Sequence, residues 1–157
     1  MNGLRLKFQK KFEEVKKHLG VLEKAFQALH EKLGPVLNEE TVERAREDLS
    51  MLPYLDQIAY RFSKFQDSLG DLLRLYLLTK GESVESLPML DLINLADKRG
   101  LSITGEKWWH FRRLRNILVH EYPEEEEEIA RALREIETEL SGFKRLLAEL
   151  ENGVQAF

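Results

Sequence analysis

The chain has 157 residues, of which 33% are charged and 43% hydrophobic, a balance typical of one folded, helix-rich domain rather than a disordered segment. It contains no cysteine, which excludes disulfides, thiolate chemistry and cysteine-type zinc sites and favours a reducing compartment. A net charge of −4 argues against a protein that coats nucleic acid through its overall charge. A local basic groove is still possible, because basic residues cluster in one part of the sequence, at Lys98, Arg99, Lys107, Arg112, Arg113 and Arg115.

The first two predicted elements are helices. Apolar residues recur at three- and four-residue steps over residues 4–33, which predicts one long amphipathic helix. Gly34-Pro35 ends this helix. Asn38 is a suitable N-cap for a second helix over about residues 39–50, because its side chain can accept from a backbone N–H group of the first turn.

Two further helices follow. Pro53 interrupts or restarts the helix. Residues 54–79 then carry apolar side chains at helical spacing, and Gly81 ends this third helix. A shorter helix is predicted over residues 86–98, and Gly100 lies beyond its end.

The last two helices are separated by a proline. One is predicted over about residues 104–121, and Pro123 ends it because the residue before a proline avoids the helical region. Pro123 then suits the first position of a final helix that extends to about residue 151, with Glu124–Glu128 near the positive end of its dipole. No strand, repeat or domain linker is evident, so residues 1–157 are predicted to form one all-α antiparallel bundle of five to six helices.

The pattern of apolar residues also bears on localisation. The N-terminal segment is charged and amphipathic and does not read as a signal peptide. No apolar run approaches the roughly 20 residues that a membrane-spanning helix needs. We therefore expect a cytoplasmic protein without a membrane partner.

Residues 108–123, WWHFRRLRNILVHEYP, carry the candidate chemistry. Asn116 and His120 are four residues apart and share a helix face, whereas Arg115 lies roughly 140° round from His120 at about 100° per residue. One helix cannot bring the guanidinium and the imidazole tightly together. A second copy packed across a two-fold axis could complete a cleft, which predicts a homodimer with this helix near the axis.

These residue types suit RNA cleavage. A histidine such as His120 exchanges protons near neutral pH, and Arg115 offers a fork of donors that can neutralise charge on a phosphate. Asn116 can orient the phosphate or the ribose. RNA supplies its own nucleophile, the 2′-hydroxyl, so the reaction needs no metal or cofactor, and DNA should resist it. The alternative interpretation is a hydrogen-bond network between helices.

The run Arg115-Asn116-x-x-x-His120-x-Tyr122 resembles the signature of HEPN domains, an arginine followed by four to six residues and a histidine. It is more specifically similar to the HepT-type toxins of HEPN–MNT toxin–antitoxin pairs, whose motif ends in His-x-Tyr. Trp109 and residues 60–67, YRFSKFQD, are also similar to that group and its nucleotidyltransferase-associated relatives.

The resemblance implies a metal-independent endoribonuclease toxin that is active as a homodimer. Arg115 and His120 would be the ribonuclease pair and Asn116 an assisting polar residue. Tyr122 would accept AMP from an MNT-type nucleotidyltransferase antitoxin, which would silence the toxin. The family also includes non-catalytic subunits that bind a substrate for a nucleotidyltransferase, and this is the alternative function.

Several neighbouring residues have a structural and a functional interpretation. Trp108 and Trp109 are adjacent, so one is predicted to face the core and the other to cover an interface or stack on a base. Asp67 and Arg61 could support the site from a neighbouring helix, but an internal ion pair or a solvated position is the favoured interpretation. The run Glu124–Glu128 is predicted to be a solvated helix N-terminus.

Overall fold

The computed structural model describes residues 2–119 and 125–155, apart from the side chain of Asn2. This part of the chain contains six α-helices and no strand, which confirms the predicted all-α class. No helix within it is long and apolar enough to cross a membrane. The helices, in chain order, are α1 (Asn2–Leu33), α2 (Glu39–Glu47), α3 (Leu52–Thr79), α4 (Met89–Lys98), α5 (Gly105–Val119) and α6 (Glu126–Gln155).

The long helices α1 and α3 form an antiparallel pair. Near one end, the rings of Phe8 and Tyr76 lie 6.3 Å apart. Further along, the hydroxyl of Ser68 donates to the carboxylate of Glu14 at 2.9 Å. Residue numbers therefore fall along α3 as they rise along α1. Both helices turn a regular apolar stripe inward, and this buried surface is the main source of their stability.

An aromatic cluster joins α3, α5 and α6 at the centre of the core. The ring of Phe143 on α6 lies 4.7 Å from that of Phe65 and 6.3 Å from that of Phe62, both on α3. It also meets Phe111 of α5 edge-on at 5.0 Å. Each aromatic pair adds about 0.5–1.5 kcal/mol beyond the apolar area it buries. The cluster therefore fixes the position of α5 against the rest of the bundle.

A histidine ties the end of α1 to α6. Nδ1 of His30 lies 2.9 Å from the carbonyl oxygen of Gly34, and Nε2 lies 2.8 Å from the carboxylate of Glu137. Both partners are acceptors, so the imidazolium, with a proton on each nitrogen, satisfies both contacts at once. Burial lowers the pKa of His30, but the hydrogen bonds to Gly34 and Glu137 outweigh it and raise that pKa overall. Gly34 has φ 91°, as expected of a helix stop.

The predicted start of α2 is confirmed, but its end is not. The side chain of Asn38 accepts from the backbone N–H of Thr41, whose own side chain accepts from the backbone N–H of Asn38, a complete capping box. The helix ends at Glu47 rather than near residue 50. The cause is Asp48, whose carboxylate accepts from the backbone N–H of Ser50 at 2.8 Å and offers the chain a turn instead.

Three other helix boundaries differ from the predicted ones. Pro53 lies in the first turn of α3, where its missing N–H costs nothing. Pro88 is the N-cap of α4 with an extended ψ of 152°, so that helix begins at Met89 rather than at residue 86. The final helix begins at Glu126, three residues after the predicted start at Pro123, which itself lies outside the described residues.

Candidate functional site

Helix α5 carries the described part of the candidate site and buries one face. Its buried side chains, at three- and four-residue spacing, are Trp108, Phe111, Leu114 and Leu118. Helix α5 runs antiparallel to α6, because Lys107 contacts Glu139 whereas the later His110 contacts the earlier Glu135. It also runs antiparallel to α3, because Trp108 lies beside Gly70 whereas Arg115 contacts Asp67. The apolar face therefore determines which polar residues of α5 reach the surface.

The opposite face of α5 is an exposed stripe of mixed chemistry. It consists of Trp109, Arg112, Arg113, Asn116 and Val119. Trp109 is 58% exposed whereas Trp108 is buried, so the predicted division between the two tryptophans is confirmed. Neither Arg112 nor Arg113 has an ion-pair partner among the described residues. The stripe thus offers two free guanidinium groups beside an exposed indole.

Arg115 lies at the border between the two faces. Its Nη1 donates to the carboxylate of Asp67 on α3 at 3.0 Å, and its side chain keeps 32% of its surface exposed. Within residues 2–119 and 125–155, its other guanidinium donors have no partner. The ion pair therefore holds one end of the guanidinium against α3 and leaves its other donors available for an incoming anion.

The structure places two of the four predicted site residues. Arg115 and Asn116 are neighbours on α5, and Asn116 is exposed. His120 and Tyr122 lie outside the described residues. Their geometry relative to Arg115 therefore stays a prediction from the sequence.

Asp67 on α3 lies beside the candidate site. The sequence suggested an internal ion pair or a solvated position, and the structure provides an ion pair at the surface, with Asp67 60% exposed and Arg115 as its partner. Arg61 does not contact Arg115 but points toward α1, where its Nη1 lies 3.1 Å from Nδ1 of His18. Burial and the charge of Arg61 lower the pKa of His18. The helical spacing of apolar residues on α3 does not reveal which residue of α5 lies opposite Asp67.

Two other side chains of α5 contact carboxylates of α6. Nζ of Lys107 lies 3.6 Å from the carboxylate of Glu139, and Nε2 of His110 lies 3.4 Å from that of Glu135, both on α6. The predicted basic cluster is thus divided: Arg99, Lys107 and Arg115 each have an ion-pair partner, whereas Arg112 and Arg113 are exposed and have none among the described residues. Among the described residues, no group of three or more histidine or carboxylate side chains is arranged to hold a metal ion.

Comparison with known proteins gave no match, whether to family models, to curated proteins or to solved structures.

Proposed function

We propose that this chain is a metal-independent endoribonuclease of the HEPN type, a toxin that cuts RNA at a cleft shared by two copies and is silenced by an MNT-type nucleotidyltransferase antitoxin. The observation that carries the proposal is the state of Arg115. Its guanidinium is oriented by Asp67 at an exposed helix edge, it retains unused donors, and it adjoins the exposed amide of Asn116. The His-x-Tyr end of the motif follows on the same chain.

The chemistry follows from these groups. The free N–H groups of Arg115 bind the phosphodiester group at the cut position and neutralise the negative charge that grows on it in the transition state. His120 removes the proton of the 2′-hydroxyl, whose oxygen attacks phosphorus while the bond to the 5′-oxygen breaks. The products are a 2′,3′-cyclic phosphate and a 5′-hydroxyl that takes up a proton. No step needs a metal ion, because the nucleophile belongs to the substrate.

The exposed face of α5 supports the shared cleft. Arg115 and His120 diverge by roughly 140° on an ideal helix, so a single chain leaves them apart. Trp109 and Val119 are large apolar side chains that are more than half exposed on the same face. Packing this face against a second copy would remove them from water and place the two polar sets across from each other.

One observation favours the alternative, a non-catalytic subunit that binds a substrate for a nucleotidyltransferase. Asp67 already compensates part of the positive charge of Arg115, and a carboxylate at 3.0 Å from the guanidinium repels a phosphate. Such an arginine suits the recognition of a neutral or weakly charged group better than the stabilisation of a phosphorane.

The deciding experiment is RNA cleavage in excess EDTA. We expect the wild-type chain to cut single-stranded RNA, and Arg115→Ala and His120→Ala to lose about 10²–10⁴-fold in rate with the fold intact. Arg145→Ala is the matched control, because Arg145 is an exposed arginine on α6 that pairs with Glu149 and lies beyond Glu139, which contacts Lys107 near the opposite end of α5. Substrates with 2′-deoxyribose at the cut position should remain whole.

The outcomes separate the two functions. Cleavage that requires magnesium, or that survives His120→Ala, contradicts the proposed mechanism. RNA or nucleotide binding by a wild-type chain that cuts nothing, with binding lost in Arg115→Ala, supports the adaptor function instead.

A further inference from the structure

A cavity of about 380 Å³ lies between α3 and the end of α5. Its volume falls in the range of small-molecule sites and is sufficient for a nucleobase. The lining combines apolar side chains with a phenol, a hydroxyl and a carboxylate, and consists of Asp56, Ala59, Tyr60, Ser63, Leu118 and Val119.

The cavity adjoins the Arg115 side of the candidate site. Asp56, Tyr60, Ser63 and Asp67 are spaced by four, three and four residues, so they lie along one face of α3. Ser63 is about 6 Å along the helix axis from Asp67, at 1.5 Å per residue. Because Asp67 contacts Arg115, the cavity lies roughly one helical turn from the guanidinium that would bind a phosphate. A base attached next to the phosphate that Arg115 binds would therefore lie at this cavity.

Tyr60 provides a flat aromatic wall. It is 54% exposed although it is a large aromatic residue. The guanidinium carbon of Arg61 lies 5.4 Å from the centre of its ring, and Nζ of Lys64 lies 5.6 Å from it. Arg61 is held by His18, whereas Lys64 is exposed and has no ion-pair partner in the described parts of the chain.

Base stacking on Tyr60 outweighs the contact with Lys64. A cation–π contact at an exposed site is worth about a 2- to 5-fold factor in an equilibrium. Stacking of one base on an aromatic side chain is worth about 5- to 150-fold in affinity. A base can therefore displace the ammonium of Lys64 from the ring, and the ammonium is then free to bind a neighbouring phosphate.

One polar group of the cavity is placed to identify the base. Asp56 is exposed, and among the described residues its carboxylate forms no ion pair, whereas the hydroxyl of Ser63 is buried out of reach of solvent. A carboxylate accepts two hydrogen bonds side by side. Guanine is the RNA base that presents two adjacent donors on its Watson–Crick edge, N1–H and N2–H₂, whereas adenine, cytosine and uracil each present an acceptor beside the donor.

We propose that this cavity is a base-binding subsite that selects guanine in single-stranded RNA, with the base stacked on Tyr60 and its Watson–Crick edge on Asp56. The proposal rests on the proposed function, because it assigns the substrate sequence preference to a subsite beside Arg115. It makes Asp56 a specificity-determining residue and Tyr60 the source of general affinity.

The test is fluorescence anisotropy with labelled 2′-O-methyl hexanucleotides, which cannot be cleaved because their 2′-oxygen is blocked. Each carries five uridines and one central guanosine, inosine or adenosine. We expect about tenfold tighter binding of the guanosine probe than of the adenosine probe, with inosine between them because it lacks the N2 amine. Tyr60→Ala should weaken every probe about 5-fold or more, and Tyr60→Phe should retain binding.

Asp56→Asn should remove the preference for guanosine over adenosine while the overall affinity stays within a few fold. Asp71→Asn is the matched control, an exposed aspartate further along the same helix, and should keep the preference. Melting curves confirm that the variants fold. Equal binding of the three probes by the wild type, or a preference that survives Asp56→Asn, overturns the proposal.

Two further outcomes keep this proposal distinct from the proposed function. Guanosine preference in a chain that cuts no RNA supports the subsite and rejects the ribonuclease. RNA cleavage with no dependence on guanosine rejects the subsite alone. Binding of free guanosine monophosphate as tightly as the guanosine hexanucleotide indicates a nucleotide site and also overturns the proposal.

Discussion

Replacing Asp67 with alanine removes the carboxylate that orients Arg115, and the structure sets the size of the effect on stability. The two side chains remain 60% and 32% exposed, and one hydrogen bond of 3.0 Å joins them. Exposed ion pairs of this kind contribute about 0.2–1 kcal/mol to the free energy of unfolding. The substitution should therefore lower the melting temperature by a few degrees at most and leave the helical content unchanged.

The effect on catalysis should be larger than the effect on folding. Without Asp67 the guanidinium regains its rotamers, and restricting them in the transition state costs about 0.5–1.5 kcal/mol. Since 1.36 kcal/mol is a factor of ten in rate, kcat should fall about 2- to 10-fold. KM should stay level or fall, because a negative charge near the phosphate site has been removed. Asp67→Asn, which retains a neutral acceptor for Arg115, should lose less.

Steady-state cleavage of a short fluorogenic RNA measures kcat and KM separately, with Asp71→Ala as the matched control. Asp71 is an equally exposed aspartate on α3 whose nearest cation, Lys11, lies 3.8 Å away and outside the site. A positioning role predicts the kcat loss in Asp67→Ala only. An unchanged kcat, or a rise in KM at constant kcat, would refute the assignment of Asp67 as a positioning residue for Arg115.

Three further predictions concern stability, assembly and control. The raised pKa of His30 means that its contribution to the free energy of unfolding is complete below the unfolded-state pKa and is lost as pH rises through the folded-state value. The lowered pKa of His18 gives the opposite dependence on pH, so the wild type alone does not separate the two histidines. The free energy of unfolding in urea should therefore be measured for the wild type and His30→Gln from pH 5 to 9, because the difference between them isolates the contribution of His30. A difference that does not depend on pH contradicts the prediction. Light scattering should give the mass of a dimer for the wild type, and Trp109→Glu, on the exposed face of α5, should dissociate this dimer. A monomeric wild type at micromolar concentration excludes the shared cleft. Incubation with a cognate nucleotidyltransferase and ATP should add the mass of one or more AMP units to the wild type and none to Tyr122→Phe, and equal gains in both place the modification elsewhere.

Most of the fold was predictable because helix periodicity and stop signals are local. Gly34 and Gly81 both have positive φ, at the positions where the sequence places helix ends, and Asn38 caps α2 through its side chain. The errors are also local in origin. The carboxylate of Asp48 competes with the helix for the backbone N–H of Ser50, and such competition leaves no periodic signal in the sequence.

The candidate site was less predictable because its contacts join distant parts of the chain. The sequence identifies Arg115 as a phosphate-binding candidate, but its partner Asp67 is 48 residues away and depends on how far α5 is displaced along α3. The cavity beside Tyr60 likewise exists only once α5 has docked. Packing of the aromatic cluster around Phe143 sets this displacement, and side-chain packing in three dimensions cannot be read from helix periodicity.

The way α5 is anchored has a consequence for its local stability. Four of its 15 residues are buried, whereas α3 buries thirteen of 28 along its contact with the other long helices. Segments with few buried contacts open at a lower free energy than the whole domain unfolds. The amide protons of α5 should therefore exchange with deuterium before those of α3. A ligand or second copy that binds across Trp109 and Asn116 would slow exchange in α5 alone, so the helix that carries the candidate chemistry would also report its occupancy.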